Sequence, residues 1–235
     1  MLEDVLFGIL YGLLIAARAL WKEESPDSFG DMIQYLSLRC DVVTDWGDQD
    51  TVKERFWQVV TSEPNRIDFS KGRKFLLPLP PIEKESHLLP FLYMKAENAG
   101  NEWCWRLYVL LFVLAANGGE PQGVAIRFES PEKCFDSSEQ DNLGAHDFFH
   151  AQFCQAVDGI RLNSPSWMPE NQPSFFLKAK GDKEFDLFFN MIVSLYSWKQ
   201  APKLTREYLT SQLKKSQLDF LRAHVNQDLL GTIEI

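Results

Sequence analysis

The sequence predicts an α+β fold, a curved antiparallel β-meander packed by helices from the N-terminal and C-terminal thirds of the chain. Three observations carry that prediction. Residues 103–114, Trp-Cys-Trp-Arg-Leu-Tyr-Val-Leu-Leu-Phe-Val-Leu, are apolar at both odd and even positions from Leu107 onward, the pattern of a central strand covered on both faces. A candidate strand lies on each side of it. Leu88 to Lys95 is separated from it by Glu97-Asn98-Ala99-Gly100-Asn101, and Gly123 to Glu129 by Asn117-Gly118-Gly119, both rich in residues that tolerate reversing backbone. Outside this block the apolar residues recur every three or four positions, as on amphipathic helices.

In chain order, the uncharged apolar run before Arg18 is too short for a membrane span, and Glu3 and Asp4 give it the wrong charge for a secretory signal. Val5 to Leu20 is therefore expected to be a helix packed on the protein's own core or on a partner subunit. Ser25-Pro26-Asp27 starts a second helix, with Ser25 as cap and Phe29, Met32, Ile33 and Leu36 on one face, ending near Arg39. Asp41 to Asp50 reads as an acidic loop around Trp46. Thr51 and Glu54 form a capping box for a third helix that Pro64 stops. Lys71-Gly72-Arg73-Lys74 is a polar turn between the short apolar segments 67–69 and 75–77. Pro78-Leu79-Pro80-Pro81 reads as a stiff extended connection, because proline can join neither a central strand nor a helix interior.

Beyond the meander, 130–144 is a surface loop, Asp158-Gly159 a turn, and 162–172 irregular. Asp182 caps a helix whose Phe185, Phe188, Phe189, Ile192, Leu195 and Tyr196 form a wide apolar face. A last helix is expected from Pro202 to about Val225, with Leu209, Leu213, Phe220 and Leu221 inward and Asn226 as its stop. The organisation is one domain over 1–235, helical over 1–64, mostly β over 67–177 and helical again over 182–226.

Charge and cysteine use narrow the function. The chain carries 33 Asp and Glu against 24 Lys and Arg, a net charge of −9, so extended nucleic-acid binding is disfavoured. Its four cysteines, Cys40, Cys104, Cys134 and Cys154, form no close pair, which fits a reducing cytoplasm and neither a disulfide framework nor a metal knuckle. No Gly-x-Ser-x-Gly elbow, phosphate-binding loop or dinucleotide fingerprint is present.

The stretch with functional character is 146–157, His-Asp-Phe-Phe-His-Ala-Gln-Phe-Cys-Gln-Ala-Val. As a helix it places His146, His150 and Cys154 on one face at four-residue spacing, suited to a Zn²⁺ ion. As a strand it separates His146 from His150 by about 13 Å, too far to share an ion. The alternation of Phe149, Ala151, Phe153 and Val157 favours the strand, whose other face then presents His146, Phe148, His150 and Gln152 as a binding surface. Asp136, Glu139 and Asp141 are the nearest acidic candidates. This pattern predicts a cytosolic, non-catalytic binding or assembly module, an accessory subunit of a larger complex, with a protein partner or a second copy of itself and no cofactor. The alternative is a metal-dependent hydrolase or nuclease using His146 and His150.

Overall fold

The computed structural model describes residues 2–24, 26–37, 40–42, 74–82, 88–99, 102–113, 121–129, 150–154, 156–157, 160–161, 174–176 and 183–226. The elements in chain order are α1 (Leu2–Glu24), α2 (Pro26–Ser37), β1 (Cys40–Val42), β2 (Lys74–Pro78), β3 (Leu88–Ala99), β4 (Glu102–Val113), β5 (Gln122–Glu129), β6 (His150–Cys154), β7 (Ala156–Val157), β8 (Ile160–Arg161), β9 (Ser174–Phe176), α3 (Lys183–Leu204), a π-helical turn (Thr205–Leu209) and α4 (Lys215–His224). One seven-stranded sheet has the order β1-β2-β3-β4-β5-β6-β9, and β7 pairs with β8 separately. The β1–β2 pairing is parallel and the remaining pairings of that sheet are antiparallel. The α+β architecture expected from the sequence is therefore the observed one.

The 102–113 run is the middle strand. Its pairing with β3 continues to Ala99 opposite Glu102, so Glu97, Asn98 and Ala99 are strand and not loop. Ladder pairing with Glu102, Trp103 and Cys104 overrides the turn preference of those three residues. Gly100, Asn101 and 117–119 lie outside the described residues, but Val113 opposite Gln122 shows that the chain reverses between them.

Register assigns the two faces, because directly opposed residues share a side. Leu92, Met94, Leu107, Val109, Phe128 and Ala151 look toward one layer. They join a core cluster with Val5 to Ala16 of α1, Phe185 to Tyr196 of α3, Leu209 of the π turn and Leu221 of α4. Leu89, Phe91, Tyr93, Tyr108, Leu110, Phe112, Ala125 and Cys154 look the other way and pack with Ala17 and Trp21 of α1 and Met32 and Leu36 of α2. Both sides are covered, which is why the 107–110 stretch is apolar without alternation.

Helix α1 is long and apolar enough to cross a bilayer, yet 67% of its apolar window is buried inside the protein. Gly8 and Gly12 let it approach the C-terminal elements closely. A methyl on Gly12 would collide with the Tyr208 carbonyl oxygen and lie 2.8 Å from Leu209 Cα.

Three differences from the sequence expectations have physical causes. Cys40–Val42, within the expected end of α2 and the acidic loop, forms strand β1, because β2 supplies a parallel partner more than 30 residues away. The proline segment is anchored as well as extended. Pro78 pairs with Phe91, and the Leu79 amide donates to the Pro90 carbonyl. Trp21 Nε1 donates to the Leu79 carbonyl at 2.7 Å, and the Tyr196 hydroxyl donates to the Pro80 carbonyl at 2.9 Å.

Third, the last helix does not start at Pro202. Pro202 lies inside α3, which passes into the π turn and then breaks over 210–214. The Thr210 and Ser211 hydroxyls donate to the carbonyls of Thr205 and Tyr208 and so terminate the helix locally. At the new start, Gln217 Oε1 accepts from the Lys214 amide and caps α4. The expected helix of 51–64, the caps at Ser25 and Asp182, and the loop of 130–144 lie outside the described residues.

Candidate functional site

Strand β5 contributes alternating side chains, and β4 and β6 pair with it on either side. Arg106, Glu129 and His150 are thereby directly opposed, and one step along the same face stand Tyr108, Arg127 and Gln152. The face thus changes character along the strands, from Phe112, Leu110 and Cys154 at one end to a charged row at the other.

Glu129 is the centre of that row and is 1% exposed. Its Oε1 accepts from Arg106 Nε. Its Oε2 lies 3.0 Å from Arg127 Nε and 3.3 Å from His150 Nε2. Arg127 Nη2 donates to Gln152 Oε1 at 2.6 Å. Exposure is graded: Glu129 and His150 are fully covered, while the side chains of Arg106 and Arg127 remain 17% and 21% exposed. Beside them Tyr93 and Tyr108 pack with ring centroids 5.5 Å apart.

Burial by itself would raise the Glu129 pKa. The His150 contact and the charges of Arg106 and Arg127 outweigh burial and hold it at about 2. The carboxylate is therefore ionised throughout the neutral range. At Cys154 burial pushes the thiol up; the Glu129 charge adds to that and Arg127 partly offsets it. A protonated thiol of this kind is a poor nucleophile.

Of the residues singled out in the sequence, the structure brings His150, Gln152 and Cys154 onto one face of a strand. Four residues of strand separate His150 from Cys154, about 13 Å at some 3.3 Å per residue, so these two cannot share an ion as the helical alternative required. His150 is buried against Glu129, Gln152 is half-buried on Arg127, and Cys154 lies in the apolar cluster. His146, Phe148, Asp136, Glu139 and Asp141 lie outside the described residues. Among the described residues no three His, Cys, Asp or Glu side chains converge in a way that could hold a metal ion.

Arg106, Arg127 and Glu129 were not foreseen as site residues. The signal was present in part, since Arg127 and Glu129 are the charged positions of an alternating strand and Arg106 is the one charge between Trp103 and Leu114. Placing them beside His150 requires the β5–β6 register, which the sequence leaves open across residues 130–149. No family model matches the chain, and no curated protein or solved structure matches it significantly.

Proposed function

We propose that this protein is a non-catalytic binding and assembly module, an accessory subunit of a larger complex, and that the Arg127–Gln152 end of the charged row belongs to its contact surface. The observation that carries this reading is the state of Glu129. A general acid or base works best with a pKa near the operating pH, whereas this carboxylate is held at about 2 by His150 and two guanidiniums. Its chemistry is that of an anchor. It fixes Arg127, which with Gln152 reaches the partly exposed rim. Binding surfaces use arginine in this manner, as a preorganised planar donor.

A cytoplasmic location agrees with the reduced, buried Cys154, and the largely buried α1 supports a core role for that helix over a membrane role. The partner is a protein or a second copy of the chain. The acidic balance argues against extended nucleic acid as partner.

The test is co-elution of the chain with a partner at fixed stoichiometry after mild isolation, repeated with Gln152→Ala. Association lost in the variant, with a melting temperature lowered by no more than a few degrees, supports the module. A chain that elutes alone and turns over a phosphodiester or peptide substrate with a tightly bound ion sinks it in favour of the hydrolase that uses His146 and His150.

A further inference from the structure

The charged row holds two guanidiniums around one carboxylate, and the carboxylate is the member withdrawn from solvent. Arg127 is engaged on one flank by Glu129, at Nε, and at Nη2 by the Gln152 amide oxygen. Guanidinium has five N–H donors in a rigid fork, so these two engagements orient the group without exhausting it. Among the described residues no other side chain hydrogen-bonds to or ion-pairs with the Arg127 guanidinium. Its side chain keeps 21% exposure, while the carboxylate that immobilises it has 1%. A guanidinium fixed on its inner flank and open at its outer edge is a receptor for an oxyanion, since that fork matches the two oxygens of a carboxylate or phosphate. The local charge contrasts with that of the whole molecule. A cationic spot on a chain of net charge −9 selects one oxyanion at short range, while the overall field opposes a polyanion.

We propose that Arg127, positioned by Glu129 and Gln152, is the docking point for a single oxyanion, a carboxylate or a phosphate. The inference rests on the binding-module reading and names the chemistry that this surface recognises. Arg127 makes the contact; Gln152 and Glu129 are positioning residues.

The experiment is a titration of the intact protein with sodium acetate, inorganic phosphate and sodium chloride at constant ionic strength. The readout is the Arg127 Nε–H cross-peak in a ¹H–¹⁵N spectrum, assigned by its loss in Arg127→Lys. The expected result is a saturable shift in the millimolar range with acetate or phosphate and only a small linear drift with chloride. Tighter binding of acetate assigns a carboxylate, and tighter binding of phosphate assigns a phosphate. In Gln152→Leu the same cross-peak should survive, with affinity reduced roughly tenfold. A response to both oxyanions indistinguishable from that to chloride overturns the proposal, as does a Gln152→Leu protein that binds as tightly as the parent. Oxyanion binding without a co-eluting partner would fault the assembly reading alone. A co-eluting partner without oxyanion binding would fault this inference alone.

Discussion

Glu129 and His150 stand directly opposite each other on β5 and β6, with Oε2 and Nε2 3.3 Å apart and neither side chain more than 1% exposed. The carboxylate's fall from its ordinary 4.5 to about 2 makes it a stability element with a definite pH window. Its contribution is fully present above pH 4.5, is lost progressively as pH falls from 4.5 to 2, and is absent below that. A shift of this size corresponds to about 3 kcal/mol. Glu129→Gln should therefore lower stability by about 3 kcal/mol at neutral pH and flatten the stability profile between pH 4.5 and 2. Urea midpoints measured across that range check it, and a variant with the parent's acid slope would show that another carboxyl governs it.

Gly12 and Gly30 offer a matched pair of helix glycines with opposite surroundings. A Cβ at Gly12 collides with backbone atoms of Tyr208 and Leu209, which cannot rotate away, whereas a Cβ at Gly30 meets nothing within 4 Å. Gly30→Ala should stabilise the protein by up to about 1 kcal/mol through helix propensity. Gly12→Ala should cost about 1 to 3 kcal/mol or more, because overpacking outweighs the propensity gain. Thermal melts of the two variants decide it, and shifts of equal sign would mean that α1 does not press on the π turn.

The meander was legible because its signal is local: an unbroken apolar run at 107–114 flanked by reversing residues predicts β3, β4 and β5 whatever the rest of the chain does. The α3 face was legible for the same reason, as Phe185, Phe188, Phe189, Ile192 and Tyr196 are all buried. What escaped depends on distant partners. Cys-Asp-Val at 40–42 is a strand only because Lys74 to Leu76 lies beside it, and the charged row exists only because Glu129 falls opposite His150 and not one residue away. A slip of one residue would have put Arg127 and Glu129 on the face opposite to His150.

Trp21 and Tyr196 hold the proline segment from two helices, donating to the consecutive carbonyls of Leu79 and Pro80 respectively. Burial pushes the Tyr196 hydroxyl well above its ordinary range, so it stays a donor at all ordinary pH values. Tyr196→Phe keeps the ring and leaves the carbonyl short of a partner, at a cost of about 1 to 3 kcal/mol. Trp21→Phe should cost more, since it also leaves a cavity in the cluster around Met32 and Leu36. Equilibrium unfolding of both variants checks the order, and a Tyr196→Phe protein as stable as the parent would show that the Pro80 carbonyl finds another donor.

The remaining prediction separates the two roles assigned to strand β6. His150 and Gln152 occupy the same face, but His150 is fully buried against Glu129 and Gln152 is half-buried on a partly exposed arginine. Removing a hydrogen-bonding partner of a buried charge costs about 1.5 to 3 kcal/mol, and the loss of the buried His150 ring adds a cavity to that cost. Exposed positions usually change stability by about half a kcal/mol or less, and a hydrogen bond to a charged group by about 1.5 to 3. For a chain of this length each kcal/mol moves the melting temperature by about 2 to 4 °C. His150→Ala should thus lower the melting temperature by about 10 °C. Gln152→Ala should lower it by no more than a few degrees, because solvent can reach the arginine nitrogen that it releases. Losses of equal size at the two positions would make this face core along its whole length, and the contact surface would then have to lie elsewhere on the molecule.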